Sequence, residues 1–200
     1  MKFHLLFTAF AQSIVVLLLA SFASGYGFGR CPKYPSMPKF NMTKVLGRWY
    51  EVERSFYLPE IASGCTTLAF QLDDSEGRFN DAFRLEVAIK TVNRLMQHIN
   101  KIHENYFPFQ FNSRLPEIIA RLLPGSGKYQ VLYTDYENFA ILWSCSSLGP
   151  IGHADQFWVF GRDRDFSAEL RGKIYDALKK LSLDPDRLII SKNKNCPNTL

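Results

Sequence analysis

The chain has 200 residues, a length that suits one domain, and its 46% hydrophobic and 22% charged residues argue against a disordered protein. Its net charge of +5 comes without a dense run of lysine and arginine, so the sequence gives no support for nucleic-acid binding. A chain of this length can bury a core without a structural metal.

Residues 1–25 have the order of a secretory signal peptide: Lys2 near the start, a nearly apolar stretch over residues 5–20, then small residues up to Gly25. Cleavage is expected after Ala23 or Gly25. A membrane anchor is the weaker alternative, because the apolar stretch holds about 16 residues whereas a span needs roughly 20. We therefore expect a secreted, extracellular protein whose single domain covers residues 26–200.

Export would allow four cysteines to form disulfides and one asparagine to be glycosylated. An even number of cysteines in an exported chain predicts two disulfides, formed among Cys31, Cys65, Cys145 and Cys196. Zinc sites use closely spaced cysteines, whereas the smallest spacing here is 34 residues, so no metal is expected. Asn41, in the sequence Asn-Met-Thr, is a candidate for N-linked glycosylation.

Eight strand-like runs follow a proline-rich entry, and turn-forming residues separate them. Apolar and charged residues alternate over residues 83–90, the pattern of a strand with one buried face. Residues 139–143 are apolar on both faces, as expected where a packed helix covers the outer side. The runs cover residues 48–56, 66–72, 83–91, 94–103, 118–123, 128–133, 138–145 and 155–161. Together they predict an all-β barrel or sandwich.

One amphipathic helix is predicted near the C-terminus, over residues 166–181, where apolar residues recur every three or four positions. Asp165 or Ser167 can cap its N-terminus. A short strand over residues 187–191 precedes the last cysteine. The phenylalanine-rich residues 106–115 receive no assignment.

Residue types that perform catalysis or bind metals do not form a recognisable arrangement. His98 and His103 are five positions apart, which places them on opposite faces of a strand. Residues 125–128 hint at a phosphate-binding loop but lack its first glycine and its final Ser/Thr. No G-x-S-x-G sequence is present. We expect a protein that is not an enzyme and has no catalytic residues, metal or cofactor.

Three short motifs follow one another along the chain: Gly47-x-Trp49, Thr134-Asp135-Tyr136 and Arg162. Their order and spacing resemble the three conserved regions of the lipocalin family. There G-x-W lies on the first strand, T-D-Y lies in the turn between the sixth and seventh, and an arginine ends the eighth. The Cys-Pro after residue 30 and the Asn-Cys-Pro from residue 195 are similar to the apolipoprotein D and lazarillo group, which includes insect bilin-binding proteins.

The resemblance implies a fold and a disulfide pattern. The fold is an eight-stranded antiparallel up-and-down β-barrel with one C-terminal α-helix packed outside it. The implied disulfides are Cys31–Cys145 and Cys65–Cys196. The Cys31–Cys145 bond would join the N-terminal arm to the seventh strand. The Cys65–Cys196 bond would join the C-terminal tail to the second strand.

The resemblance also implies a structural plug formed by Gly47, Trp49 and Arg162. It places the Arg162 guanidinium across the Trp49 ring, where a cation–π attraction contributes roughly 0.5–2 kcal/mol. The donors of the guanidinium can also bond carbonyls of the N-terminal turn. These residues are expected to seal one end of the barrel and not to bind ligand.

Strand alternation predicts which side chains line the interior. If Arg162 points inward, side chains two and four residues before it do so as well, and the same rule applies to three other strands. The predicted ligand-binding residues are Leu68, Phe70, Phe83, Leu85, Val87, Tyr129, Val131, Tyr133, Trp158 and Phe160. They would form an apolar cavity with a few hydroxyl groups. The alternative is that they fill the interior completely.

Two functions of different classes are compatible with this sequence. The first, implied by the resemblance, is a secreted carrier of a non-covalently bound hydrophobic molecule: a bilin, a retinoid or carotenoid, a fatty acid or a sterol. The second is a secreted interaction protein. It would use its open-end loops, or the aromatic residues 106–109, against a membrane or a protein partner.

Overall fold

The computed structural model describes residues 12, 25–35, 37–56, 63–72, 83–91, 95–102, 106–107, 128–147 and 149–196. Ten strands lie in these residues: β1 Tyr26–Phe28, β2 Gly47–Ser55, β3 Ser63–Leu72, β4 Phe83–Thr91, β5 Leu95–Ile102, β6 Tyr106–Phe107, β7 Lys128–Thr134, β8 Phe139–Ser147, β9 Gly152–Gly161 and β10 Leu188–Ile190. The helical elements are a 3₁₀ turn at Met42–Val45, the α-helix α1 at Ala168–Lys180 and a 3₁₀ turn at Pro185–Arg187. In this part of the chain no helix is long and apolar enough to cross a membrane.

The strands form one antiparallel sheet in the order β5-β4-β3-β2-β9-β8-β7-β6. The short strands β1 and β10 pair with β9 and β2, respectively. Within the described ranges the edge strands β5 and β6 do not pair with each other, so closure into an eight-stranded barrel stays a prediction. The predicted strand over 118–123 lies outside the described residues. Beside β7 the structure instead places Tyr106–Phe107, from the segment that received no assignment.

Three β-bulges interrupt the sheet, one each in β2, β3 and β7, and those in β2 and β7 change the face of residues that matter for the inner side. In β2, Glu51 lies opposite Phe160 and Glu53 lies opposite Val159, so Val52 is an extra residue. In β7 the register shifts in the same way between Val131 and Tyr133. Beyond each bulge, simple alternation assigns side chains to the wrong face.

The sheet buries apolar side chains on both faces. The inner cluster consists of Met42, Val45, Trp49, Leu68, Phe70, Val131, Ala140, Leu142, Trp158 and Phe160. The outer cluster joins the sheet to α1 and consists of Val52, Leu132, Phe139, Ile141, Trp143, Phe157, Val159, Phe166, Ile174, Leu178 and Leu183. Alternate residues of β8 enter the two clusters. This confirms that β8 is apolar on both faces because a helix covers its outer side.

The helix α1 confirms the predicted C-terminal helix. Ser167 caps it by accepting a hydrogen bond from the Leu170 backbone N–H at 3.2 Å. Ile174 and Leu178, one turn apart, are completely buried against the sheet. Burial of each such side chain contributes about 1.5–3 kcal/mol.

Both disulfides join distant parts of the chain, Cys31 to Cys145 and Cys65 to Cys196. This is the pairing that the resemblance implied. Near the second bond, the Cys65 backbone N–H donates to the Lys192 carbonyl at 3.1 Å. β10 pairs with β2 just before that point. The C-terminal segment therefore ties β2 to β3.

Candidate functional site

One end of the sheet is closed by Trp49 and Arg162. Trp49 is 1% exposed, and its indole N–H donates to the Val45 carbonyl of the 3₁₀ turn at 2.8 Å. The Arg162 guanidinium lies 3.8 Å from the centre of the Trp49 ring. The turn, the first residues of β2 and the end of β9 thus meet at one indole ring, which we call the closed end.

The Arg162 guanidinium also binds three backbone carbonyls, those of Arg48 at 3.1 Å, Lys44 at 3.4 Å and Tyr136 at 3.3 Å. Burial lowers the pKa of this guanidinium, and the Asp135 carboxylate opposes the shift. Gly47 has φ +96°, and a Cβ there would lie 3.2 Å from an Arg162 nitrogen. Glycine is required by both its backbone conformation and the close approach of the arginine.

The Thr-Asp-Tyr motif forms the turn between β7 and β8. The Thr134 hydroxyl donates to the Phe139 carbonyl at 2.7 Å and accepts the Tyr136 backbone N–H at 2.9 Å. The Asp135 carboxylate accepts the backbone N–H groups of residues 137, 138 and 139 at 2.8–3.1 Å. Tyr136 stacks on Phe40 with ring centres 6.2 Å apart. The motif holds the chain around the closed end, and no polar group in it points to chemistry on a substrate.

A small apolar cavity lies directly above the closed end. It measures about 10 Å³, room for about one water molecule. All its lining residues are apolar: Phe40, Val45, Trp49, Leu68, Phe70, Val131, Ala140, Leu142 and Phe160. The cavity lies at the closed end of the inner face, and we call its apolar lining the floor.

The structure brings most of the described predicted ligand-binding residues together on the inner face. Leu68, Phe70, Val131 and Phe160 line the cavity. The rings of Tyr129 and Trp158 stack with centres 5.0 Å apart, and Trp158 belongs to the same cluster. These residues form a continuous apolar and aromatic surface that begins at Trp49.

Three predicted residues lie on β4, beside β3. Val87 is opposite Leu68, Leu85 is opposite Phe70, and Phe83 is opposite Leu72. The backbone register therefore places β4 next to the cavity-lining residues of β3. The side chains of Phe83, Leu85 and Val87 lie outside the described part of the structure.

Tyr133 does not share the face of Val131, which corrects the prediction made from alternation. The bulge between these residues places Tyr133 opposite Ile141, an outer-face residue, and Val131 opposite Leu142, an inner-face residue. Tyr133 is 40% exposed, and its ring lies 5.6 Å from that of the outer-face residue Phe139. An extra residue in the strand turned this side chain to the outside.

Sequence reasoning missed an ion pair on the inner face. Glu51 is opposite Phe160 and Arg54 is opposite Trp158, so both lie on the side of the inner cluster. Their side chains are 3% and 2% exposed, and Arg54 Nη1 lies 2.6 Å from Glu51 Oε1. The same oxygen accepts the Ser191 hydroxyl at 2.5 Å. Glu51 lies two residues after Trp49, so strand alternation could have predicted that Glu51 faces inward. Arg54 faces inward only because of the bulge at Val52, which alternation does not predict.

The described residues offer no arrangement typical of a catalytic or metal-binding site. There, no three His, Cys, Asp or Glu side chains are grouped as a metal site would need. All four cysteines are in disulfides, so none supplies a nucleophilic thiol. His153 contacts the Gly29 carbonyl through Nδ1 at 3.3 Å, while the side chains of His98 and His103 lie outside the described residues.

Comparisons with known proteins agree with this geometry. The sequence model of the lipocalin / cytosolic fatty-acid binding protein family matches residues 46–195. Apolipoprotein D of Cavia porcellus is 28% identical over 198 residues, which cover 93% of this chain and 99% of the relative. The Lazarillo protein of Schistocerca americana is 25% identical over 179 residues, which cover 85% and 77%.

Solved structures share the fold. Insecticyanin from the tobacco hornworm Manduca sexta superposes with a TM-score of 0.67 at 17% identity, covering 86% of this chain and 90% of that one. Lobster apocrustacyanin A1 superposes with a TM-score of 0.62 at 18% identity, covering 88% and 95%. At these identities the comparison concerns the fold alone.

Proposed function

The chain belongs to the lipocalin / cytosolic fatty-acid binding protein family, and from this premise we propose that it is a secreted carrier of one small hydrophobic molecule. The observation that carries the proposal is the inner face: an aromatic and apolar surface that begins at a sealed floor. Trp49 is 1% exposed and is covered by the Arg162 guanidinium at the closed end. An apolar ligand above that floor gains roughly 25 cal/mol for each Å² that it buries.

The described cavity of about 10 Å³ is too small for such a ligand by itself. We place the ligand above this floor, against Trp158 and Tyr129 and towards β4 and β5. Aromatic walls with a few polar groups are the usual composition of small-molecule sites. The ligand classes are those that the family resemblance implies: a bilin, a retinoid or carotenoid, a fatty acid or a sterol.

The ion pair of Glu51 and Arg54 narrows the chemistry of the ligand. A buried ion pair is costly to desolvate, and this one lies on the face that the ligand would contact. Its two charges compensate each other, so a neutral hydroxyl or carbonyl group suits this surface better than a second carboxylate does. We therefore favour a ligand with an apolar body and a neutral polar group.

Titration with retinoid, bilin and fatty-acid probes tests the carrier function. Trp158→Ala removes an aromatic wall and is expected to weaken binding by one to a few kcal/mol, about 5- to 100-fold in Kd. Trp158→Phe keeps a ring and should retain most of the affinity, while ligand-induced quenching of tryptophan fluorescence is largely lost. Tyr133→Ala is the matched control, because Tyr133 lies on the outer face and its loss should leave Kd unchanged.

Two outcomes of the binding experiment would contradict the proposed ligand site. Equal affinities of wild type and Trp158→Ala, with melting curves that show both proteins folded, would contradict the placement of the ligand. A loss of affinity in Tyr133→Ala would contradict the face assignment. The alternative function, contact of open-end loops or of residues 106–109 with a membrane or protein, would be favoured if no probe binds wild type.

Secretion makes a prediction about the mature N-terminus. The Gly25 carbonyl accepts the Asp155 backbone N–H at 2.7 Å, just before β1 pairs with β9. Cleavage after Gly25 would remove this hydrogen bond, whereas cleavage after Ala23 keeps it. N-terminal sequencing of protein from the medium should therefore find a start at Ser24. A start at Tyr26 would show that this contact is dispensable.

We also propose that the protein is not an enzyme. The polar groups at the closed end bind backbone atoms, and the four cysteines are in disulfides. Glu51 and Arg54 are engaged with each other on a face that is otherwise mainly apolar. Such groups suit the orientation of a ligand and not the transfer of a proton to or from it.

A further inference from the structure

Asn41 begins the 3₁₀ turn Met42–Val45 at the closed end. Met42 and Thr43 follow it, and these three residues form the only Asn-x-Ser/Thr sequence in the chain. Met42 and Val45, on the other side of the turn, are buried in the inner cluster beside Trp49. The turn is therefore fixed to the fold by its buried side, and Asn41 lies on its exposed side.

Three of the four polar groups of Asn41 have partners, among them the backbone carbonyl, which accepts the Lys44 backbone N–H at 3.3 Å. Its side-chain oxygen Oδ1 accepts the Thr43 backbone N–H at 2.9 Å and the Thr43 hydroxyl at 2.6 Å, which caps the turn. Its backbone N–H donates to the Tyr136 hydroxyl oxygen at 3.1 Å. In the part of the chain that the structure describes, no hydrogen bond involves the side-chain nitrogen Nδ2. Nδ2 is the atom to which an N-linked glycan attaches, and among the described residues it is the one polar atom of Asn41 without a hydrogen bond.

We propose that Asn41 carries an N-linked glycan and that the modified side chain still caps the turn. The proposal rests on the secretion proposed above, because the glycan is added in the export pathway. In that transfer Nδ2 loses one proton and bonds to the anomeric carbon of an oligosaccharide. The bond from that carbon to a lipid-linked pyrophosphate breaks, and the pyrophosphate leaves. The amide oxygen is not consumed, so it can keep both hydrogen bonds to Thr43.

The position of Asn41 keeps the glycan away from the other end of the strands. β2 starts at Gly47 and β9 ends at Gly161, both at the closed end. The turn between β8 and β9 lies at the opposite end. A glycan on Asn41 therefore covers the sealed end and its polar turn. Its removal is expected to leave the Kd for a hydrophobic probe unchanged.

The test uses the full chain, secreted from insect cells with its own signal peptide and, in parallel, with a heterologous one. Wild type should lose the mass of one glycan on treatment with peptide N-glycosidase, which leaves aspartate in place of the modified asparagine. Thr43→Ser keeps a hydroxyl at the required position and should remain glycosylated. Thr43→Ala and Asn41→Asp should carry no glycan.

Melting temperatures separate the glycan from the cap. Asn41→Asp keeps a capping oxygen and has the same sequence as enzymatically deglycosylated wild type, so the two should have the same Tm. Asn41→Ala loses the cap as well, and its Tm should be about 2–4 °C lower than that of Asn41→Asp. Equal Tm values for these two variants would overturn the retained capping role.

Secretion and modification fail separately in this design. Wild type recovered from the medium with unmodified Asn41, under either signal peptide, would overturn the glycosylation proposal. A chain that reaches the medium only with the heterologous signal peptide would contradict the proposed secretion. Its Asn41 would still report on glycosylation.

Discussion

Replacement of Cys65 and Cys196 together by alanine is expected to lower the free energy of unfolding by about 4–5 kcal/mol. The bond between them closes a loop with a sequence separation of 131 residues, so its loss releases a large amount of chain entropy in the unfolded state. The same bond anchors the C-terminal segment, whose Ser191 and Asn193 side chains bind Glu51 of β2. Such a loss is a large part of the stability of an ordinary domain.

Urea unfolding monitored by tryptophan fluorescence measures this effect. Cys31→Ala with Cys145→Ala is the matched comparison, because that bond spans a similar 114 residues and should cost a similar amount. Single replacements are avoided, since each would leave a reactive thiol. If the Cys65/Cys196 variant lost less than about 1 kcal/mol, the C-terminal segment would not depend on its disulfide as described.

Arg162→Ala should produce the largest effect of any single substitution that we propose, a loss of about 2–4 kcal/mol in the free energy of unfolding. The substitution removes the cation from the Trp49 ring and leaves three backbone carbonyls without their charged donor. Arg162→Lys should fall between alanine and wild type, because lysine keeps the charge but cannot bind several carbonyls with one planar group. Thermal unfolding followed by circular dichroism gives the comparison.

The same variant distinguishes a structural plug from a ligand-binding residue. Because Arg162 lies behind Trp49 at the closed end, Arg162→Ala should change the Kd of a bound probe much less than Trp158→Ala does. A normal melting curve with lost ligand binding would reverse the roles assigned to Arg162 and Trp158.

Periodicity in the sequence predicted much of the sheet and the helix because both bury regular faces. In β8, Phe139 and Ile141 face the helix while Ala140 and Leu142 face inward, in line with the prediction of a strand covered on both sides. The spacing of apolar residues likewise predicted α1. The three motifs identified the closed end. Their residues hold the backbone in place there, and that role appears in the sequence as particular residue types at fixed spacing.

The bulges explain what periodicity could not predict. One extra residue in β7 moved Tyr133 to the outer face, and one in β2 placed Arg54 next to Glu51 on the inner face. A bulge at these positions leaves no glycine or proline in the sequence to indicate it. The sequence Glu-Val-Glu-Arg at residues 51–54 therefore resembles a solvent-exposed edge strand, although all four residues are buried.

Extraction of the secreted protein tests the central claim most directly. Protein purified from the medium without detergent is extracted with organic solvent, and the extract is analysed by mass spectrometry against the same preparation of Trp158→Ala. The carrier function predicts one apolar small molecule, with a neutral polar group, near one equivalent in wild type and depleted in the variant. The claim would be contradicted if nothing were extractable and no retinoid, bilin or fatty-acid probe bound wild type below about millimolar concentration, a free energy near −4 kcal/mol.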